Sequence, residues 1–462
     1  MSRLASRQGA ASLRARRWDV VMLGSALPGL FAAIRLGMRG LRVLVVEEEA
    51  AARAHPAWRE PFLPVGGARG GVLDACLREL SLPLVERRRM PTDPLAYQYV
   101  TDRARIEVGE LGLTAEEWVT WGLLKPDEAR ELLHLLAQAS RREQAALLEA
   151  PVVKTSRLRS RGRPAPRERG LPVELRTLPP GVRPLLEDQI RAQHHLGDAP
   201  VPPEARARLY GSVLDGGVLR PEAGVYLREL LRGRVRSVHG EFRSVSRRFE
   251  LVEVSSAPGI VLERPEEVWL GRALVINAPR HDLGLATADS SGAVSPLLDV
   301  PPPSRGRVAL HLRVHRDALP EGMGRRVLVG SQATGGAPIA VQAFPLARGE
   351  TACEVVASTV AAAEPEALRQ AADRIEQTVR ALMPFSEGRM GRVRFPAPTW
   401  DHDLALADPP RGRGWPAEVD LRLSSRPPVF HLPREEVAAL GVEGELLLGW
   451  RAGDHIRAAL RG

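Results

Sequence analysis

Six residues near the N-terminus, Gly24-Ser25-Ala26-Leu27-Pro28-Gly29, have types and spacing that suit a phosphate cradle. They follow the apolar run Trp18–Leu23, which reads as a buried strand. They open the amphipathic stretch Pro28–Arg39, in which Leu30, Phe31, Ile34 and Met38 share one helical face. A first glycine makes a tight strand-to-helix turn, a second admits a pyrophosphate to the backbone, and a third lets helix and strand approach. Gly24 and Gly29 take the first and third roles, and Ala26 stands at the second with an extra methyl. Pro28 is tolerated in a first helical turn but removes one of the N–H groups that would meet an anion. A second apolar run, Arg42–Val46, ends in Glu47, 23 positions after Gly24. A carboxylate there accepts hydrogen bonds from a ribose 2′-hydroxyl and repels a 2′-phosphate, which favours FAD or NAD over NADP.

The elements that position these residues form a strand–turn–helix–strand unit of the length of a βαβ crossover. The chain of 462 residues is long enough for two or three lobes, and its 44% hydrophobic content fits a folded globular protein. Further strands are predicted at Tyr97–Tyr99 and Arg105–Val108, paired about a turn at Asp102-Arg103. Others fall at Phe242–Val245, Phe249–Val254, Gly259–Leu262, Glu267–Leu270, Ala273–Ala278, Arg307–Val314, Arg326–Val329 and Cys353–Ser358. Helices are predicted at Val72–Leu80, Asp127–Glu149, Val225–Arg232 and Pro365–Leu382. Thr114 with Glu117 has the pattern of a capping box. At the C-terminus the segment Gly444–Gly449, a turn, and a helix over Asp454–Leu460 are expected.

Composition excludes several classes. The net charge of +9 rests almost wholly on arginine, since Lys125 and Lys154 are the only lysines, and acids are interspersed throughout. Aromatics make up 4% of the chain, too few for a base-stacking surface, so no nucleic-acid partner is expected. Cys76 and Cys353 are far apart, which supports neither a zinc site nor a disulfide framework; they read as small buried hydrophobes in a reducing compartment. His194-His195 has no carboxylate at ligand spacing. In Asp401-His402-Asp403, adjacent side chains of an extended segment point apart, so no metal is expected at either. No stretch of about 20 uncharged apolar residues is present. Residues 1–17 read as a flexible leader. The Arg/Pro-rich segment 154–169 reads as a solvated loop or linker, with a peripheral membrane contact as the alternative.

Four stretches together resemble the FAD-dependent oxidoreductase superfamily of phytoene desaturases, protoporphyrinogen oxidases and flavin amine oxidases. They are Asp19–Leu30 through Glu47; Phe62-Leu-Pro-Val-Gly-Gly67 leading to Leu73–Leu82; Gly217–Leu231 with the strands ending at Val275-Ile-Asn-Ala-Pro279; and Leu446–Ala459. The resemblance implies an α/β fold: a Rossmann-like FAD/NAD(P)-binding lobe with a parallel sheet, interrupted by an α+β substrate lobe. The dinucleotide lobe would take residues 18–110, 206–290 and 431–462. The substrate lobe would take the helical and Arg/Pro-rich insertion 111–205 and residues 291–430. It also implies FAD as cofactor, an apolar small-molecule or amine substrate giving up hydride, and a cytoplasmic protein, in a second version membrane-peripheral. Gly24, Ser25, Ala26, Leu27, Pro28, Gly29 and Glu47 would hold the ADP half. Gly449, Trp450, Gly453, Asp454 and His455 would meet the ribityl side, with a plain helix cap as the other role for Asp454.

Three departures bear on the cofactor. Residues 50–60 contain no counterpart of the superfamily's Gly-Gly-Arg, Ala26 replaces a glycine, and the C-terminal Gly-Asp is displaced to Gly453-Asp454. An alternative from another class follows: a non-catalytic relative that has lost FAD and acts as a binding protein, as the Rab GDP-dissociation inhibitors do on a similar fold. An NAD-linked enzyme is a third reading, without a second nucleotide motif to support it.

Overall fold

The structure is a computed structural model. It describes residues 5–6, 14–63, 69–149, 153, 171–214, 218–219, 226–245, 249–262, 267–279, 302–344, 349–394, 400–402, 405–408 and 419–461. Gly66, Gly67 and the segment 154–169 lie outside the described residues.

The fold is mixed α/β and is carried by two sheets. The first collects β1 (Arg14–Leu23), β2 (Val43–Glu48), β5 (Glu241–Val245), β6 (Phe249–Val254), β7 (Ala257–Leu262), β8 (Glu267–Ile276), β14 (Arg422–Ser425) and β15 (Pro428–His431), with a two-residue strand at Ala5–Ser6. Five of these run parallel in the order β5-β2-β1-β8-β15. The strands expected at 267–270 and 273–278 are one ten-residue strand. Its first half pairs antiparallel with β7 and its second half pairs parallel with β15. The β1–β2 connection is α1 (Leu27–Gly37), the crossover that parallel pairing requires.

The second sheet has the order β13-β9-β12-β11-β10-β3-β4. Its strands are β3 (Leu95–Val100), β4 (Arg105–Gly109), β9 (Arg305–His315), β10 (Arg326–Val329), β11 (Ile339–Ala343), β12 (Ala352–Ala362) and β13 (Met390–Arg394). One face of β9, carrying Val308, Leu310, Leu312 and Val314, packs with Ala371, Ile375 and Val379 of α8 (Pro365–Leu382). Strand alternation therefore turns Arg307 and His311 to the opposite face, toward the first sheet's lobe.

A helical layer covers the β3 end of that inner face: α3 (Leu111–Thr120), α4 (Pro126–Glu149), α5 (Arg183–Gln193) and α6 (Pro203–Tyr210). Thr114 lies inside the first turn of α3 rather than before it, because Glu110 takes the N-cap. The Thr114 hydroxyl instead donates to Gly109 O (2.9 Å) and accepts from Gly109 N–H (3.0 Å).

Around the first sheet pack α1, α2 (Val72–Glu79), α7 (Leu227–Ser237) and α9 (Val442–Arg461). The turn expected between Gly449 and Asp454 does not exist: α9 is one helix of 20 residues. The spacing of Leu446, Leu447 and Ile456 toward the core, with Gly449, Ala452 and Gly453 against α1, accounts for this, since small residues there let two helix backbones meet. A Cβ on Gly449 would stand 2.4 Å from Pro28 O, and one on Gly453 would stand 2.7 Å from Arg35 Cβ. Among the described residues no helix is long and apolar enough to cross a membrane. Both cysteines are buried and unpaired with each other.

Candidate functional site

The carboxyl ends of the parallel strands are where an open α/β sheet binds ligands. Gly24 leaves β1 at φ +105°, a left-handed conformation that glycine adopts without strain. Asn277, at the end of β8, lies under this turn. Its amide donates to Gly24 O (3.3 Å) and Ala26 O (3.1 Å), and Cβ atoms on Gly24 or Gly29 would collide with it. The turn is thus built as the sequence predicts, with Ala26 as N-cap and Pro28 in the first turn of α1.

What meets the turn is protein. Asp401 accepts the Ser25 N–H (2.9 Å) and the Ser25 hydroxyl (2.7 Å), so a carboxylate occupies the place at the N-terminus of α1 that an anionic ligand would take. The guanidinium of Arg59 donates to Asp401 (3.0 Å) and to Ser25 Oγ (3.3 Å). The resemblance places an arginine after the ribose acid, on the pyrophosphate; Arg59 reaches the glycine turn without the glycine pair. Burial alone would raise the Asp401 pKa. The charges of Arg59 and Arg228 and the hydrogen bonds from Ser25 outweigh it, so the carboxyl is held below its ordinary value.

Glu47 is closed off in the same way. Val43, Val45 and Glu47 share one side of β2, and α7 packs there. Arg228 and Arg232, one helical turn apart on α7, both bind Glu47 Oε1; the Arg228 contact is 3.2 Å. Arg228 also donates to Ser25 Oγ. Glu47 is 1% exposed, Ser25 and Ala26 0%, and Asp401 1%. An open dinucleotide groove exposes its glycine turn and its ribose acid to solvent. Here a ribose at Glu47 would have to displace two guanidinium groups, and a pyrophosphate at Ser25 would have to displace Asp401. The residues present do not fit FAD.

The C-terminal residues assigned to the ribityl side lie elsewhere. Asp454 sits well inside α9 rather than at a helix start. Its carboxylate takes a bidentate contact from Arg35 of α1 (2.7 and 2.8 Å), and Arg35 also binds Glu79. Gly449 and Gly453 serve helix packing, Trp450 is stacked under Arg451, and His455 meets the edge of Phe430. The chain leaving β15 on the ligand side reads Leu432-Pro433-Arg434, with neither glycine nor aspartate. Arg434 is itself buried against Glu445, and His195 Nδ1 lies 3.5 Å from the same carboxylate. The tertiary fold thus brings His195 an acid that sequence spacing did not show, but no metal-type cluster of three ligands occurs among the described residues.

A crevice does remain between the lobes. It is a shallow crevice of about 30 Å³ behind an open mouth, lined by Arg307, Gln342 and Ser358 of the second sheet and by Phe62, Leu63 and Val442. Beside it His311 bonds Glu354, and its ring lies tilted against those of His55 (4.8 Å) and Trp58 (5.5 Å). None of its lining residues belongs to the glycine turn or to Glu47.

Sequence reasoning located Gly24, Gly29 and Glu47 but not their partners. In a chain with this much arginine, Arg59, Arg228 and Arg232 carry no individual signal; only the i, i+4 spacing of the last two was visible. Asp401 lies 376 positions from Ser25.

No protein-family model and no curated protein matches this chain. Solved structures do. A putrescine oxidase bound to putrescine aligns over 96% of this chain and 100% of its own, at 13% identity and a TM-score of 0.54. The PF1083 protein from Pyrococcus furiosus aligns over 96% and 98%, at 15% identity and a TM-score of 0.53. An oxidoreductase from Methanosarcina mazei aligns over 92% and 98%, at 13% identity and a TM-score of 0.50. The chain therefore has the α/β fold seen in flavin-type oxidoreductases, end to end. At these identities the likeness speaks for the fold alone.

Proposed function

We propose that this protein uses a flavoenzyme fold without a bound dinucleotide, as a binding protein whose ligand enters the crevice on the inner face of the second sheet. The observation that carries this reading is the closed ionic cluster Glu47–Arg228–Arg232–Ser25–Asp401–Arg59. It satisfies, from within the chain, the helix N-terminus and the ribose acid that a dinucleotide would otherwise engage. A buried acid joined to two arginines is not a poised ligand group, because opening it strands charge in a low-dielectric interior. The packing elements of the fold are retained while the cofactor contacts are replaced.

A second reading keeps the oxidoreductase: Gly24, Gly29 and Glu47 stand in register, and the His311–Glu354 pair beside the crevice is capable of acid–base work. In it the contacts of Asp401 to Ser25 and of Arg228 and Arg232 to Glu47 would open to admit FAD, and the substrate would be apolar or an amine.

Purified protein incubated with excess FAD and passed through gel filtration separates the two. The expected spectrum from about 300 to 550 nm is featureless, and FAD leaves the melting temperature unchanged, since a ligand that does not bind the native state cannot stabilise it. Flavin bands that travel with the protein and weaken in Glu47→Ala would replace the binding-protein reading with the oxidoreductase.

A further inference from the structure

We propose that Arg307 anchors the oxyanion head, carboxylate or phosphate, of a small organic ligand in the crevice on the inner face of the second sheet. The inference rests on the reading of that crevice as the ligand site and adds the chemical class of what it takes.

Five buried arginines have acids of their own: Arg59 has Asp401, Arg208 has Glu443, Arg228 and Arg232 have Glu47, and Arg434 has Glu445. Arg307 does not. Among the described residues its one hydrogen bond runs from Nη2 to His194 O (3.1 Å), its Nε is buried without a partner, and no carboxylate forms an ion pair with it. Desolvation lowers its pKa to about 10. The other titratable groups close by do not neutralise it. His194 and His195 are held toward the neutral form, first by desolvation and in part by the Arg307 charge itself. Glu60 also lines the crevice, and its carboxylate accepts the Arg228 N–H (3.0 Å). Glu445 is engaged by Arg434 and His195.

An uncompensated guanidinium in a partly desolvated crevice is costly unless an anion completes it. Its planar fork matches an oxyanion, and Gln342 and Ser358 stand on the same sheet face as further donors. Phe62, Leu63 and Val442 offer apolar surface to an organic body that extends from the head toward the open mouth. An anchoring charge set beside apolar surface is a usual feature of a small-molecule site.

The test is calorimetric titration of the full chain with octanoate, inorganic phosphate and octanol. Octanoate is expected to bind and octanol not to. Arg307→Met should weaken octanoate at least about tenfold, the worth of a charge-assisted hydrogen bond, while Arg307→Lys stays closer to wild type. Arg307→Met should melt no lower than wild type without ligand, because it removes an uncompensated charge. Ser358→Leu, which narrows the crevice and leaves the charge in place, should weaken octanoate too. Phosphate binding with the same Arg307 dependence and no octanoate binding would identify a free oxyanion as the source of the ligand. The inference is overturned if neither anion binds, or if octanoate binds Arg307→Met as well as wild type. The flavin spectrum is a separate readout, so failure of the cofactor-free reading and failure of the anion site are told apart.

Discussion

Asp401 concentrates the residue-scale argument. One carboxylate accepts two hydrogen bonds from Ser25 and an ion pair from Arg59, and it is 1% exposed. Removing one member of a buried pair leaves the other charged and stranded, which costs about 3–5 kcal/mol. Asp401→Ala should therefore lower the unfolding free energy by about that amount in urea titration. A loss under about 1 kcal/mol would mean that the cluster is loose and that an anion can replace the carboxylate. Glu47 behaves alike under this account: its substitution harms the fold, whereas in a flavin-binding protein it would harm chiefly cofactor affinity.

At the scale of elements, the contact between α1 and α9 positions the glycine turn from behind. Gly449 and Gly453 lie four apart on α9 and face Pro28 and Arg35, and the Arg35–Asp454 pair clamps the far end. A methyl at either glycine would overlap backbone or Cβ atoms of α1, and overpacking of this kind costs about 1–3 kcal/mol. Gly453→Ala should lower the melting temperature by several degrees, and Gly391→Ala, which meets nothing within 4 Å, should not. Equal behaviour of the two would dissolve the close-packing role. The second sheet works by alternation. The same strand β9 that sends Val308 and Leu310 into the α8 core presents Arg307 to the crevice and His311 beside it.

For the whole molecule, acid should unfold the protein in two stages that differ in origin. His194 has its pKa lowered to about 3, first by desolvation and then by the charges of Arg307 and its neighbours. A histidine more acidic in the folded than in the unfolded chain contributes stability that is full above the unfolded pKa, about 6.5, and is lost as pH falls toward the folded value. Asp401 and Glu445, both depressed by arginine partners against the effect of burial, add stability that is present above about 4 and lost below it. Melting temperature should thus begin to fall below pH of about 6.5 and drop more steeply below about 4. His195, His311 and His455, also lowered chiefly by desolvation, share this upper stage, so His194→Asn, which keeps a side-chain acceptor for the Leu196 N–H, should shrink it and leave the lower one; an unchanged upper stage would assign it to the other histidines.

The division between sequence and tertiary structure follows from the range of the interactions involved. Local rules were sufficient for the strand–turn–helix–strand unit, for the β3–β4 hairpin and for α4 and α8. Periodicity and turn chemistry act over a few residues and are visible in a linear string. They failed where packing overrides them. The Trp450–Gly453 stretch reads as a turn by its glycines, yet those glycines are what allow α9 to continue against α1. They failed most at the cradle itself. The glycines and Glu47 stand where spacing placed them, but whether they meet a dinucleotide depends on Arg59, Arg228, Arg232 and Asp401. These arrive from separate elements, the last across 376 positions. Sequence determined the shape of the nucleotide unit because that shape is local. Tertiary structure decided what fills it, because charge neutralisation in a buried cluster depends on distances that only the folded chain sets.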